Sequence, residues 1–249
     1  MSQATEIHVC SYNIHKGFSP TNLRFLLDEI RLAIRKVDAD VVFLQEIMGE
    51  DRHRRRQTNQ LEFLADSIWH HHAYGKNAIY ESGHHGNAIL SKYPFVAWQN
   101  TDISLWSFSQ RGILLGKTGN GIHLCCLHFG LFAIEREAQL RALASLLAEH
   151  VPESAPLIIA GDFNDWTQSI DRKICKLLQV NEAFREVHGK PARTFPSFYP
   201  LLQVDRIYYR NLTLKNAHIL SGEPWTRLSD HCALSATFST AKTPSKKRK

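Results

Sequence analysis

Side chains that can bind a metal ion or move a proton lie at the end of, within or just before six of the short apolar runs in this sequence. They are Asn13, Gln45-Glu46, His128, Gly161-Asp162-Phe163-Asn164, Asp205-Arg206 and Ser229-Asp230-His231. Ionisable groups rarely end buried strands unless they are paired or bind a cation. Oxygen ligands with few sulfur or imidazole ligands suit Mg²⁺ or Mn²⁺ better than zinc. If the strand ends converge, the pattern predicts a divalent-metal hydrolase site with His128 and His231 as candidate imidazoles.

The apolar runs that carry these residues predict a mixed α/β fold. Alternation or continuous apolar character predicts strands at 7–12, 41–44, 88–90, 113–115, 122–127, 157–160, 204–209 and 233–238. Helical spacing predicts helices from Leu23 to Val37, over 61–68 and over 138–147. Two packed mixed sheets flanked by helices accommodate this pattern. The chain has 249 residues, and we expect one domain over 1–240 and a basic, flexible tail over 241–249.

The net charge of +6 comes largely from two local clusters of basic residues. One is formed by Arg52, Arg54, Arg55 and Arg56, and the other by the tail over 242–249. Each cluster is explained equally well as a solvated segment or as a surface that attracts a phosphate backbone or an anionic membrane. We therefore expect a nucleic acid partner, with an anionic lipid as the alternative. No obligate protein partner is implied.

Composition and cysteine usage predict a soluble, cytoplasmic protein. Hydrophobic residues make up 43% of the chain and charged residues 22%, which excludes a disordered or fibrous chain. No apolar run approaches the ~18–20 residues that span a bilayer, and the N-terminus lacks the basic and apolar regions of a secretory signal. The five cysteines are odd in number and contain no CxxC pair, so we expect small core residues rather than a disulfide framework or a zinc site.

Taken in chain order, the motifs resemble those of the endonuclease/exonuclease/phosphatase superfamily, the DNase-like proteins. They are Tyr12-Asn13, Gln45-Glu46, Gly86-Asn87-Ala88-Ile89-Leu90-Ser91, His128, Gly161-Asp162-Phe163-Asn164, Asp205-Arg206 and Ser229-Asp230-His231. Any one motif is a weak indication, whereas all of them in this order over 7–238 are highly specific. The segments 13–17 and 193–196 resemble a small bacterial branch of the superfamily. The resemblance implies a four-layer α/β sandwich and metal-dependent phosphoester hydrolysis.

The resemblance also implies which residues hold the metal ion. Glu46 would be the principal ligand of Mg²⁺, or of Mn²⁺ in its place. Asn13 would lie close to the ion, and Asp230 would complete or flank the metal site. Asn87 could contact the substrate phosphate, although an amide in a loop can equally serve as a local hydrogen-bonding group. A hard cation held in this way would polarise the phosphoryl oxygen and neutralise charge in the transition state.

Five further residues receive catalytic roles from the resemblance. Asp205 would orient His231, so that the imidazole can accept a proton from water. Asp162 and Asn164 would place the attacking water and a non-bridging oxygen, although the two residues alone would also fit a turn. Asp162 is the alternative general base, and this choice stays open. His128 would stabilise the developing charge or protonate the leaving oxygen.

The segment around His128 bears on the substrate. Abasic-site endonucleases carry a tyrosine-bearing segment here, whereas 127–130 resembles the DNase, deadenylase and sphingomyelinase branches. We therefore expect a phosphodiesterase that acts on nucleic acid. The alternatives are a phospholipid-headgroup or sphingomyelinase-like phosphodiesterase or phosphatase, with Phe129, Leu131 and Phe132 as an apolar lip, and a catalytically silent nucleic-acid or membrane binding module.

Overall fold

The computed structural model describes residues 6–51, 59–65, 68–80 and 83–240. The basic cluster over 52–56 and the tail over 242–249 lie outside these residues, so the predictions made for them stay predictions. The expected single domain over 1–240 is likewise a prediction. None of the described helices is long and apolar enough to cross a membrane.

The described strands form two mixed sheets of six strands each. They are β1 (Glu6–Asn13), β2 (Val41–Asp51), β3 (His71–Tyr80), β4 (Gly83–Ser91), β5 (Phe95–Asp102), β6 (Gly112–Thr118), β7 (His123–His128), β8 (Leu157–Asp162), β9 (Asn181–Glu182), β10 (Asp205–Arg210), β11 (Leu212–Leu220) and β12 (Ala233–Thr240). The first sheet has the order β11-β12-β1-β2-β4-β3, and the second has the order β5-β6-β7-β8-β10-β9. The predicted fold of two packed mixed sheets is confirmed.

Helices flank the two sheets. They are α1 (Leu27–Val37), α2 (Gln60–Ala65), α3 (Ala133–His150), α4 (Asp171–Leu178), α5 (Ala183–His188) and α6 (Trp225–Leu228), together with a 3₁₀ turn over His15–Gly17. One buried apolar cluster contains side chains of both sheets, among them Phe43 and Ile158. A second joins the first sheet to α1, α2 and α6, and a third joins the other sheet to α3 and α4. The sandwich therefore has helix, sheet, sheet and helix layers.

Strand direction and register bring the predicted site residues to one edge of the sandwich. Each sheet contains one parallel pair, β1 with β2 and β7 with β8, and parallel strands end at the same edge. In these pairs Asn13 lies opposite Gln45 and His128 lies opposite Asp162. Strand β10 runs antiparallel to β8 and places Asp205 opposite Asp162. The expected convergence of strand ends is therefore observed.

A bulge in β2 turns Glu46 out of the regular ladder. The register between β2 and β4 shifts between Leu44 and Ile47, and Glu46 has a left-handed φ of 56°. Bulges bend a strand and redirect a side chain, and they often lie next to active sites. The bulge explains how a residue inside a long strand reaches the site at its edge.

Several elements differ from the predicted ones. Leu23, assigned to the first helix, is 84% exposed and precedes α1. It lies in a loop in which Ser19 and Arg24 exchange backbone hydrogen bonds, one through the Ser19 hydroxyl. Strands β3, β5, β9 and β11 and helices α4, α5 and α6 were not predicted. All five cysteines are free, and Cys10, Cys125, Cys126 and Cys232 are buried, which confirms their interpretation as core residues.

Candidate active site

A cleft of about 280 Å³ opens at the edge where the strand ends meet. Its wall contains Glu46, Arg111, His128, Leu131, Asp162, Asn164, Trp166, Phe195, Leu202, Val204 and His231. Five of these were predicted as site residues. Asn13 and Asp205 lie directly behind this wall, and both hydrogen-bond to residues in it.

Asp205, His231 and Asp162 form a chain of buried polar groups in the cleft. The Nδ1 atom of His231 lies 2.8 Å from Asp205 Oδ2, and its Nε2 atom lies 3.7 Å from Asp162 Oδ2. The imidazole also packs against Phe195, with ring centroids 5.0 Å apart. Burial alone would lower the pKa of His231, but the carboxylates of Asp205 and Asp162 outweigh it and raise the pKa to about 10. The imidazole is therefore oriented and positively charged before a metal ion binds.

His128 has the opposite electrostatic state. Burial lowers the pKa of His128 to about 4, against the attraction of Asp162 and with a further lowering by Arg111. Its Nε2 atom lies 3.0 Å from Asn164 Nδ2, which also donates a hydrogen bond to Phe129 O at 2.9 Å. An uncharged imidazole can accept the Asn164 hydrogen bond at Nε2. The two predicted imidazoles thus differ in charge at neutral pH.

Asp162 connects the two imidazoles. Its Oδ2 atom lies 3.4 Å from His128 Nε2 and accepts a hydrogen bond from Asn13 Nδ2 at 3.2 Å. Its Oδ1 atom accepts a hydrogen bond from the backbone nitrogen of Asn164 at 2.9 Å. Burial is the largest cause of the shift in the pKa of Asp162 and raises it. The two imidazoles oppose that shift. A carboxylate in this position can take up a proton more readily than an exposed one.

Glu46 presents an ionised carboxylate to the cleft. Burial raises its pKa, but His128 and Lys16 hold the pKa of Glu46 well below its usual range. Asn13 Nδ2 donates a hydrogen bond to Glu46 Oε1 at 3.4 Å. The Oε2 atom makes no hydrogen bond within the described residues and faces Lys16 Nζ at 3.2 Å. This oxygen is available to a cation.

Asp230 lies beside the same carboxylate wall, more exposed than its neighbours. Its side chain is 24% exposed, and its Oδ1 atom lies 3.5 Å from His15 Nδ1 and 4.0 Å from His231 Nε2. The hydroxyl of Ser229 donates to the same oxygen at 3.3 Å. Of the predicted metal residues, Asn13 and Glu46 contact each other directly, whereas Asp230 is linked to the site through His15 and His231.

The donor set fits a divalent cation. Asp162, Asp205 and His231 form a buried group whose ligand atoms lie within 4.8 Å of one another, as a metal site requires. In that group Asp205 Oδ2 and His231 Nδ1 already pair at 2.8 Å, so a cation binding both atoms would have to break the pair. Glu46 instead offers a carboxylate oxygen that makes no hydrogen bond within the described residues. Hard oxygen donors of this kind suit Mg²⁺ or Mn²⁺.

Residues 10–231 match the model of the endonuclease/exonuclease/phosphatase family. The chain belongs to this family. YbhP of Escherichia coli is 43% identical over 246 residues, which cover 94% of this chain and 97% of YbhP. A UPF0294 protein of Vibrio parahaemolyticus is 27% identical over 218 residues, which cover 83% of this chain and 70% of that protein.

Solved structures of this family share the fold. An endonuclease/exonuclease/phosphatase protein from Beutenbergia cavernae has a TM-score of 0.79 and 19% identity and covers 95% of this chain and 72% of its own. TDP2 of D. rerio, complexed with a single-strand DNA product, has a TM-score of 0.70 and 16% identity and covers 95% of this chain and all of its own. The family is generally hydrolytic and typically uses divalent metals. The predicted family and its DNase-like sandwich are therefore confirmed.

Asn87, assigned tentatively to the substrate phosphate, is buried in β4. Its Nδ2 atom donates a hydrogen bond to Gly112 O at 3.0 Å and so ties β4 to the start of β6. That nitrogen is engaged in a contact between the two sheets. A role for Asn87 at the phosphate stays a prediction.

Sequence reasoning missed one cation in the cleft. Arg111 lies just before β6, where its Nε atom donates to Phe129 O at 3.2 Å and its Nη1 atom to Gln110 O at 2.9 Å. No apolar strand precedes Arg111, so the pattern that revealed the other site residues could not reveal it. Its guanidinium adds fixed positive charge to the wall beside His128.

Two residues beside the cleft are buried. Phe129, expected in an apolar lip, is completely buried and packs edge-on against Phe163. Arg136, on α3, is 2% exposed. Its Nη1 atom donates to Leu131 O at 2.6 Å, and its Nε atom lies 3.8 Å from Asp165 Oδ1. Arg136 therefore holds the loop that follows β7.

Proposed function

We propose that the protein is a Mg²⁺- or Mn²⁺-dependent phosphodiesterase that hydrolyses phosphodiester bonds in nucleic acid. The observation that carries this proposal is the meeting of an ionised Glu46 with the Asp205–His231–Asp162 chain in one cleft. A metal site next to a positioned acid–base group is the arrangement that metal-assisted phosphoester hydrolysis requires. Membership of the endonuclease/exonuclease/phosphatase family supports the same reaction class.

Glu46, with Asn13 and Asp230 beside it, would hold the cation. A divalent cation held there would polarise the phosphoryl oxygen and neutralise charge in the transition state. Asn13 keeps the Glu46 carboxylate in place through its Nδ2 hydrogen bond to Oε1. The same amide nitrogen donates a hydrogen bond to Asp162. Asn13 therefore fixes the position of Glu46, which would bind the metal ion, relative to Asp162, which takes part in proton transfer.

The proton of the attacking water goes to Asp162, or to His231 once a bound cation has offset the carboxylates that otherwise keep its imidazole protonated. Asp205 holds His231 Nδ1 and leaves Nε2 directed at Asp162 Oδ2, so both acceptors face the same volume. His128 and Asn164 lie on the side of Asp162 away from Asp205, where hydrogen-bonding groups can stabilise the charge on the phosphate oxygens. The pH–rate profiles of His231→Gln and Asp162→Asn distinguish the two acceptors, since only loss of the base removes the ascending limb.

Nucleic acid is proposed as the substrate from the form of the cleft. Trp166 lines it and is 43% exposed, and aromatic side chains beside a backbone site give nucleobases a surface on which to stack. The solved TDP2 complex with a single-strand DNA product has the same fold. A cytoplasmic location is part of this proposal, because the five cysteines are free and the cytosol keeps thiols reduced.

An activity panel on the purified protein tests the proposal. Single- and double-stranded DNA, RNA, bis-p-nitrophenyl phosphate and sphingomyelin are each incubated with Mg²⁺, Mn²⁺ or EDTA. His231→Ala is the test variant, and His150→Ala, at the exposed end of α3, is the matched control. We expect metal-dependent cleavage of a nucleic acid that His231→Ala loses and His150→Ala retains. Absence of turnover on every substrate, with folded protein, would refute the proposal and favour a binding module.

A lipid phosphodiester is the second candidate substrate, favoured by the surface beside the cleft. Leu131 and Phe132 are 50% and 54% exposed, and Phe108 is 76% exposed. Trp106 stacks on Phe108 with ring centroids 5.4 Å apart and meets Phe132 edge-on. Adjacent exposed apolar groups of this size mark interaction surfaces. Cleavage of sphingomyelin without cleavage of any nucleic acid would select this candidate.

A further inference from the structure

The turn that follows β1 has an unusual backbone. His15, Lys16 and Gly17 have consecutive left-handed φ values of 47°, 56° and 84°. Residues other than glycine rarely adopt this conformation, and it persists only where the surroundings impose it. Two hydrogen bonds close the turn, from Gly17 N to Ile14 O at 2.8 Å and from Phe18 N to His15 O at 2.9 Å.

A buried glutamine fastens this turn to the strand that carries Glu46. Gln60 is 2% exposed, and its Nε2 atom donates to Lys16 O at 2.9 Å. Its Oε1 atom accepts a hydrogen bond from Met48 N, also at 2.9 Å. At Gly17, which has a left-handed φ of 84°, a Cβ atom would come within 2.8 Å of the Phe25 ring, so any other residue would be strained and would have to displace that ring. The backbone of the turn is thus fixed relative to β2.

The turn contacts each of the three residues predicted to bind the metal ion. The backbone nitrogen of His15 donates to Asn13 Oδ1 at 3.1 Å. The His15 Nδ1 atom lies 3.5 Å from Asp230 Oδ1. Lys16 Nζ lies 3.2 Å from Glu46 Oε2. A three-residue element that reaches all three groups is placed to control what binds there.

Lys16 and a divalent cation would share one carboxylate. Two cations at the same Glu46 group repel each other, and the doubly charged ion attracts the carboxylate more strongly. The Lys16 side chain is 38% exposed and ends a flexible four-carbon stem, so its head can move while its backbone stays fixed. The anion that then enters the cleft is the substrate phosphate.

We propose that Lys16 is a substrate-phosphate ligand, and that its ammonium group moves from Glu46 to the phosphate when a divalent cation binds. In the metal-free protein Lys16 neutralises the Glu46 carboxylate. With metal and substrate bound, it neutralises a phosphate oxygen next to the cation. The identity of the anion rests on the proposed function, whereas the competition at Glu46 does not.

Lys16→Met tests this exchange, because it removes the charge, keeps the length of the side chain and has the same backbone preference as lysine. Three quantities are measured: Mn²⁺ affinity by calorimetry without substrate, thymidine monophosphate affinity at saturating Mn²⁺, and KM for bis-p-nitrophenyl phosphate. Without the competing cation we expect Mn²⁺ affinity to rise about tenfold. We expect nucleotide affinity to fall and KM to rise, each by about tenfold.

Lys117→Met, at an exposed position on β6, is the matched control and should change none of the three quantities. Lys16→Arg should restore the KM that Lys16→Met loses. Weaker binding of both Mn²⁺ and nucleotide in Lys16→Met would mean that the turn only supports the site, and it would overturn the exchange. Unchanged Mn²⁺ affinity would overturn it as well. If the unmutated protein hydrolyses nothing, the proposed function fails, and the two binding measurements still decide the exchange.

Discussion

Two clusters of charged and mostly buried side chains lie next to each other in this protein, and only one of them opens into the cleft. The cleft cluster consists of Glu46, His128, Asp162, Asp205 and His231. The enclosed cluster consists of Arg136, Asp165, Asp171, Arg185 and Arg206. Asp162 and Asp165 are three residues apart in the chain and are 2% and 0% exposed. The degree of burial therefore does not distinguish Asp162, the catalytic candidate, from Asp165, the structural residue.

The difference lies in the partners of the carboxylates. In the enclosed cluster, Asp165 accepts hydrogen bonds from Ser169, and from the backbone nitrogens of Ile170 and Asp171 at 3.1 and 3.2 Å. Asp171 accepts from the Tyr208 hydroxyl at 2.7 Å and pairs with Arg185. Every oxygen of these two carboxylates is therefore occupied.

The cleft cluster leaves two carboxylate oxygens without hydrogen bonds within the described residues, Asp205 Oδ1 and Glu46 Oε2, and the latter faces only the partly exposed ammonium group of Lys16, at 3.2 Å. An incompletely paired buried carboxylate is costly to the fold and is retained where it can bind a cation or move a proton. A carboxylate with complete partners supports the structure instead. The comparison predicts that a substitution in the cleft cluster lowers activity and leaves stability unchanged. An equivalent substitution in the enclosed cluster should lower stability and leave activity unchanged.

The largest expected effect is on catalysis, from Asp162→Asn. We expect kcat/KM to fall about 10⁴-fold, which corresponds to ~5 kcal/mol of barrier. The free energy of unfolding should stay the same or rise, because burial already raises the pKa of Asp162 and asparagine has the same shape without the charge. Steady-state kinetics and urea unfolding measure the two quantities.

Asp165→Asn is the matched substitution in the enclosed cluster. It removes acceptors from buried backbone nitrogens, so the free energy of unfolding should fall by about 1–3 kcal/mol, with kcat close to that of the unmutated protein below the melting temperature. Equal losses of activity in the two variants would remove the distinction between the clusters.

Arg206→Met should cause the largest change in stability. Arg206 is completely buried, and its guanidinium lies 3.6 Å from Asp171 Oδ1 and 4.0 Å from Asp165 Oδ2. Removal of one partner from a buried ion pair typically costs about 3–5 kcal/mol. Unfolding in guanidinium chloride measures the loss in the free energy of unfolding. A loss below about 1 kcal/mol would contradict the structural role of Arg206.

A smaller effect concerns acid stability and the cleft cluster. Burial lowers the pKa of His128 from 6.5 to about 4, so between these pH values the unfolded chain binds a proton that the folded protein does not. The free energy of unfolding should therefore fall as the pH drops through this window, by on the order of 3 kcal/mol. His128→Gln should reduce that slope in urea unfolding at a series of pH values. An unchanged slope would mean that His128 is charged in the folded protein.

The smallest effect is a loss of stability with rising pH, opposite in direction to that of His128. It comes from Glu182, which lies beside the enclosed cluster. Burial raises the pKa of Glu182 from 4.5 to about 6, against hydrogen bonds from the backbone nitrogens of Arg185 and Phe184. The folded protein holds this proton more tightly, so stability is lost as the pH rises through the window, by on the order of 2 kcal/mol. Glu182→Gln should remove this loss in the same series of measurements. A slope identical to that of the unmutated protein would contradict it.

Much of the site was predictable because its signal is local. A polar residue directly after an apolar run is visible without any structure, and parallel strands must end at a common edge. For this reason Asp162 and His128 were identified from their own neighbours in the chain. Strands β5 and β11 were missed because they face solvent along much of their length, and polar residues interrupt their apolar positions, at Gln99 and Asn100 in β5 and at Lys215 and Asn216 in β11.

The sequence by itself determined which chemical groups the protein has, their order along the chain, the family and the sandwich that carries them. Only the tertiary structure decided that Asp162 faces two imidazoles while Asp165 is enclosed by hydrogen-bond donors, and that Lys16 lies on Glu46. The physical reason is that pairing and pKa depend on distances between side chains that are far apart in the chain. Those distances exist only once the two sheets have packed together.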